Sequence, residues 1–200
     1  MDEIKVTATF TGKDELVRKL ENHPKAMAKA FQHTCADFAT RAPGWVTKAV
    51  RMHYTADGKV IRKALKGKEK SSSIRIGGMT VDGIRFKYSG GLLTPTPFGM
   101  SPKKPEPKKR TVKAKILKNG PRKVLSPIAY LAHAKSGDAD SKYIPFQRRG
   151  SSRLPVDVIK TVSVAQMIQN EKVSSGIEKV LETELAKRME HNMRRAIDSL

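Results

Sequence analysis

The chain holds a single cysteine, Cys35, so no disulfide can form within it. It lacks any apolar run of the length a membrane-crossing helix needs. It opens on Met1-Asp2-Glu3, without the basic stretch and apolar core of a secretory signal. These absences predict a soluble protein made in a reducing cytoplasm. Cys35 falls on an apolar helical face, which suits a packed structural thiol better than a nucleophile.

Catalytic and metal-binding patterns are also missing. The histidines are His23, His33, His53, His133 and His191, and none forms a His-x-x-x-His or His-Glu-x-x-His pair. Asp138 and Asp140 make an Asp-x-Asp with no calcium-loop glutamate at the required distance, and read as a turn. There is no Gly-x-Ser-x-Gly elbow. Gly78 and Gly83 have the glycine spacing of a phosphate loop, but Ile84 stands where its lysine must be. The expectation is a non-enzyme without metal or cofactor. A nuclease would need a carboxylate cluster, and the basic middle of the chain offers only Glu69, Asp82, Glu106, Asp138 and Asp140 to build one.

Acidic residues are the scarcest relative to their opposites: 19 Asp and Glu face 40 Lys and Arg, a net charge of +21. The imbalance is local. Residues 58–156 carry 24 basic and 5 acidic side chains, net +19, whereas the flanks carry 16 and 14, net +2. A field of this kind draws polyanions and binds phosphate without reading sequence, and serves equally against an acidic protein. Aromatic residues are only 6% of the chain, and Phe98 alone interrupts the Pro/Lys-rich stretch, which argues against stacking on single-stranded bases.

The hydrophobic pattern predicts an α+β fold: a small, mostly antiparallel sheet packed on N-terminal helices and a long C-terminal helix. Ile4, Val6, Ala8 and Phe10 alternate with polar residues as a half-buried strand does. Leu16, Leu20, Met27, Phe31, Cys35 and Phe38 follow helical spacing, with a break and a new helix expected at Pro24. Pro43-Gly44 predicts another interruption, with a turn or two of helix from Trp45 to Tyr54. Residues 58–73 are basic and weakly periodic, and 66–73 read as a mobile loop.

Ile74 and Ile76, then Ile84, Phe86 and Tyr88, suggest a hairpin about Asp82-Gly83 with a cationic outer face. Residues 89–110 contain Pro95, Pro97, Pro102, Pro105 and Pro107 and predict an extended arm projecting from a single domain of residues 1–200. Val112, Ala114 and Ile116 alternate with Lys113 and Lys115 as a strand closed at Asn119-Gly120. Residues 127–134 fit a strand or a helical turn, and 143–146 an edge strand, because Pro145 cannot donate to a ladder. Ser175 and Glu178 have capping-box spacing for a last helix with an apolar stripe of Ile177, Val180, Leu181, Leu185, Met189, Met193, Ala196 and Leu200.

Phe146-Gln147-Arg148-Arg149-Gly150 leads into Arg153-Leu154-Pro155-Val156 and then Val162-Ser163-Val164-Ala165-Gln166-Met167-Ile168, ahead of the closing helix. This order resembles the minor tail protein Z family of lambda-like phages and prophages. There a Phe-containing strand, an Arg-rich turn and an Arg-x-Pro-hydrophobic step precede a Ser-Val-Pro-Gln-like segment. Ala165 departs from that proline, and the segment from Arg41 to Val46 also looks like the family. The C-terminal likeness spans roughly a quarter of the chain and carries no catalytic content.

The resemblance implies a tail-completion protein of the virion, at the head–tail junction or neck, forming a homo-oligomeric ring with other tail and neck proteins as partners. Ring closure needs a heterologous interface, with two different patches on each subunit. Lys103, Lys104, Lys108, Lys109, Arg110, Lys113, Arg122 and Lys123 are the expected contacts to DNA or an acidic neighbour. Arg148, Arg149, Arg153, Leu154 and Pro155 are the expected subunit contacts. The competing expectation is a free, sequence-independent nucleic-acid-binding protein.

Overall fold

The computed structural model describes residues 2–65, 73–77, 79–106, 111–126, 128–134 and 142–200. The fold is α+β. A three-stranded antiparallel sheet holds β1 (Asp2–Thr7), β3 (Gly83–Ser89) and β2 (Ser73–Gly77) in the order β1-β3-β2. The strict alternation along β1 and β3 sets its two faces: Ile4, Val6, Ile84, Phe86 and Tyr88 are buried, while Lys5, Thr7 and Arg85 are exposed. The helices cover the apolar face.

Two long helices form the other layer, α2 (Pro24–His53) and α5 (Glu171–Asp198), which make the most extensive pairing in the molecule. At 1.5 Å per residue they run about 45 and 42 Å. α5 buries Val173, Ile177, Leu181, Leu185, Met189 and Met193, a stripe at spacings of three to four residues. Against it α2 sets Ala30, Phe38, Ala42, Val46 and Val50. The short helices α1 (Lys13–Glu21), α3 (Gly58–Leu65) and α4 (Val164–Gln169) complete the core with Leu20, Ile61, Met167 and Ile168.

Several expectations are corrected. α2 begins at Pro24 as expected, but it runs unbroken through Pro43. The proline removes one intrahelical donor at a cost of about 3 kcal/mol. Burial of Phe38, Ala42, Val46 and Val50 on both sides of it exceeds that, since each large apolar side chain contributes about 1.5–3 kcal/mol. Residues 58–65, read as weakly periodic, form α3, with Ile61, Ala64 and Leu65 buried on one side. The mobile loop expected next falls largely on residues 66–72, outside the described residues.

The capping box belongs to α4 and not to α5. Ser163 Oγ accepts from Gln166 N at 3.0 Å, and Gln166 Oε1 accepts from Ser163 N at 2.9 Å. α5 starts four residues before Ser175, capped by Asn170, whose side chain accepts from Lys172 N at 3.2 Å. Ser175 lies in the second turn and donates to the Glu171 carbonyl at 3.0 Å. Val180 and Leu200, assigned to the apolar stripe, are exposed.

One polar pair is buried between the long helices. Asn192 Nδ2 donates to Thr34 Oγ1 at 3.1 Å, and Thr34 Oγ1 donates to the Ala30 carbonyl at 2.8 Å. Thr34→Val leaves the Asn192 amide without that acceptor and should cost about 1–3 kcal/mol. Adding Asn192→Leu should recover most of that loss, because no polar group is then orphaned. Urea unfolding of the two single variants and the double variant tests this coupling.

Candidate partner-binding surface

Residues 89–110 do not project as a free arm over their first half. Leu93, Phe98 and Met100 are buried, and a 3-10 turn, Thr96–Phe98, sits between them. Leu93 exchanges backbone bonds with Thr161 and Val162, and Phe98 O accepts from Lys115 N at 3.0 Å. Burial of three large side chains holds the segment down despite its prolines. Residues 103–106 are exposed, and Pro107, Lys108, Lys109 and Arg110 lie outside the described residues.

Five of the predicted basic residues are brought onto one hydrogen-bonded unit. Ser101 and Lys113 exchange both backbone bonds, at 2.9 and 2.8 Å. β4 (Lys113–Ala114) pairs antiparallel with β5 (Lys123–Val124), and Leu125 N donates to Val112 O at 3.0 Å. Val112 and Ala114 are buried beneath this unit, so alternation turns Lys113 outward. Lys103, Lys104, Arg122 and Lys123 are exposed around it. Thr55 ties the unit to the end of α2, its N–H donating to Ile116 O at 3.0 Å and its hydroxyl to Lys115 O.

The second predicted group lies on a separate sheet of β6 (Tyr130–His133), β7 (Tyr143–Arg148) and β8 (Val156–Val158), in that order. Residues 143–146 therefore belong to a central strand and not to an edge. Pro145 is tolerated because β8 ends at Val158. The Pro145 carbonyl still accepts from Ile159 N at 2.9 Å, and its missing donor falls where the ladder stops. Apart from Pro145, every residue of this sheet is half-buried or exposed. Tyr130 and Phe146 stack across it at 6.1 Å. Its register puts the start of β6, the end of β7 and the start of β8 at one end. That end carries exposed Ile128, Arg148, Arg153 and Leu154, with Leu154 69% accessible.

Arg149 is held within the second sheet by a carboxylate. Its Nε and Nη2 bond Asp157 Oδ2 and Oδ1, both at 2.8 Å, and its N–H donates to Pro155 O at 3.2 Å. This bidentate pair closes the β7–β8 connection. The hydrogen bond from Arg149, with its charge, holds the Asp157 carboxyl below the usual carboxylate range, and the same bond raises Arg149. A carboxylate with a depressed folded pKa stabilises above its unfolded pKa of about 3.9 and loses that contribution as pH falls through its folded value. The β7–β8 connection should therefore be indifferent to pH between about 5 and 8 and loosen only under stronger acid. An NMR titration of Asp157 in the wild type and in Arg149→Gln, where the carboxyl should rise toward its ordinary value, checks this.

Two features escaped the sequence reading. A cleft of about 370 Å³ between the body and β7 is lined by Asp57, Val60, Leu92, Leu93, Lys142 and Ile144, among others. Its walls come from segments far apart in the chain, so no local signal announces it. The exposed apolar pair Ile128 and Leu154 is likewise joined only by strand register. Cys35 is half-buried against the core, and burial pushes its thiol up. Asp138 and Asp140 lie outside the described residues. Among the described residues no three His, Cys, Asp or Glu side chains gather as a metal would need, and no helix is long and apolar enough to cross a membrane.

Comparison with protein-family models, with curated proteins and with solved structures returns no match.

Proposed function

We propose that the chain is a structural protein of a phage virion that completes the tail at its head-proximal end and helps join it to the head. It works by binding neighbours and performs no catalysis. The observation that supports this most is the second sheet. It has two edge strands, faces that are only half covered, and an end carrying Ile128 and Leu154 beside Arg148 and Arg153. Unpaired strand edges and exposed large apolar residues are liabilities in a free monomer and assets in an assembly. The segment Phe146 to Ile168 that builds β7, β8 and α4 is also the one that resembles the minor tail protein Z family.

On this reading the Ile128–Leu154 end is one patch of a heterologous ring contact. The unit of Lys103, Lys104, Lys113, Arg122 and Lys123 faces DNA or an acidic neighbour. Deleting the gene from the phage that encodes the chain should leave filled heads and tails that fail to join, and added purified protein should restore joining. Normal yields of infectious particles from the deletion would contradict the proposal.

A further inference from the structure

The second sheet has an apolar projection at one end of β7 and an apolar recess at the other. Residues 149–155 join β7 to β8 and are exposed throughout. Within them Arg153 precedes Leu154, the most accessible large apolar side chain described. The Arg149–Asp157 pair and the bond from Arg149 N to Pro155 O fix the base of this loop. Leu154 is therefore presented on a held loop, which has less conformational entropy to lose on contact than a free one.

The recess is the cleft of about 370 Å³ beside the start of β7. Exposed Leu92, half-buried Val60 and Ile144, and buried Leu93 give it apolar walls. Its size falls within the roughly 300–1,000 Å³ of sites that enclose a bound group. Asp57 stands on the body side and Lys142 on the β7 side. Asp57 is exposed, and its Oδ1 accepts from Lys59 N at 2.8 Å, which sets the carboxylate at the start of α3.

We infer that the loop of one copy enters the cleft of a second copy, with Leu154 against Leu92 and Ile144 and Arg153 beside Asp57. The guanidinium and the carboxylate are complementary, and the contact takes two exposed leucines out of water. β7 separates the two features by about 17 Å, so a copy does not fill its own cleft. Two different patches joined in this way propagate head to tail, and such a contact closes a ring or continues as a filament. The inference rests on the tail reading for the ring and adds the patch that receives the loop.

Sedimentation velocity on the full chain at tens of micromolar tests it. The wild type should form species larger than dimers. They should grow more abundant between about 0.15 and 1 M salt, because the screening length falls from about 8 to 3 Å and chains of net charge +21 repel less. Leu154→Asp and Leu92→Asp change exposed side chains, so both should melt close to wild type. Each alone should associate at least about thirtyfold more weakly. Mixed in equal amounts, the two should form a one-to-one dimer and nothing larger, because one intact loop and one intact cleft remain. Asp57→Asn keeps the bond to Lys59 N and removes the charge, and should weaken association about two- to fivefold.

A wild type with no species above the dimer would leave the cleft to another protein and overturn the inference. Assembly that dissolves at high salt would overturn it too, since bridging by a polyanion behaves that way. So would wild-type assembly by either leucine variant, or a mixture that stays monomeric although both variants are folded. The tail reading survives all of these results, because it is tested by gene deletion and the joining of heads to tails.

Discussion

Phe86→Ala should be among the most damaging single truncations in the chain, costing about 3–5 kcal/mol. Phe86 is fully buried on the central strand of the first sheet, opposite Ile4 on one side and Ile76 on the other. Its ring lies 6.1 Å from that of Tyr88. Because it is central in a three-stranded sheet, no edge can shift inward to fill the space, and the cavity term adds to the lost transfer energy. For a chain of this size the melting temperature should fall by about 6–20 °C.

Gly83→Ala should cost at least about 2 kcal/mol. A Cβ on Gly83 would stand 2.1 Å from the Val6 carbonyl oxygen and 3.0 Å from the Thr7 Cα. Both atoms are backbone of the neighbouring strand, so no rotamer change relieves the clash and β1 must move away from β3. Gly83 is paired with Thr7 at the end of that ladder, and Ala8 N donates to Asp82 O at 2.9 Å just beyond it. Hydrogen exchange should accordingly speed up first at the Val6–Ala8 end of β1. Gly150→Ala is the control, since nothing lies within 4 Å of its Cβ position, and it should leave the melting temperature unchanged.

The sequence was informative wherever one local pattern decided the outcome. Period-two alternation gives β1 and β3 with the correct faces, Pro24 marks the start of α2, and the stripe from Ile177 to Met193 gives α5. It misled where tertiary burial outweighed a local rule. Pro43 is carried inside a helix by the apolar residues on either side of it, and Pro145 inside a sheet by the early end of β8. The Pro-rich segment reads as an arm because prolines dominate it, yet Leu93, Phe98 and Met100 fasten its first half. Charge told a similar story at the surface. The run of cations was visible at once, but cross-strand register alone places Lys5 opposite Arg85 and gathers Ile128 with Leu154 at one end of a sheet.

On the proposal above, this chain is a component of the assembled virion at the junction of head and tail. Cryo-electron microscopy of intact particles from the encoding phage tests it most directly. Density for this fold is expected as a ring of subunits at the head-proximal end of the tail, with the Ile128–Leu154 end of the second sheet against the next subunit. Intact, infectious particles containing no copy of the chain would contradict it.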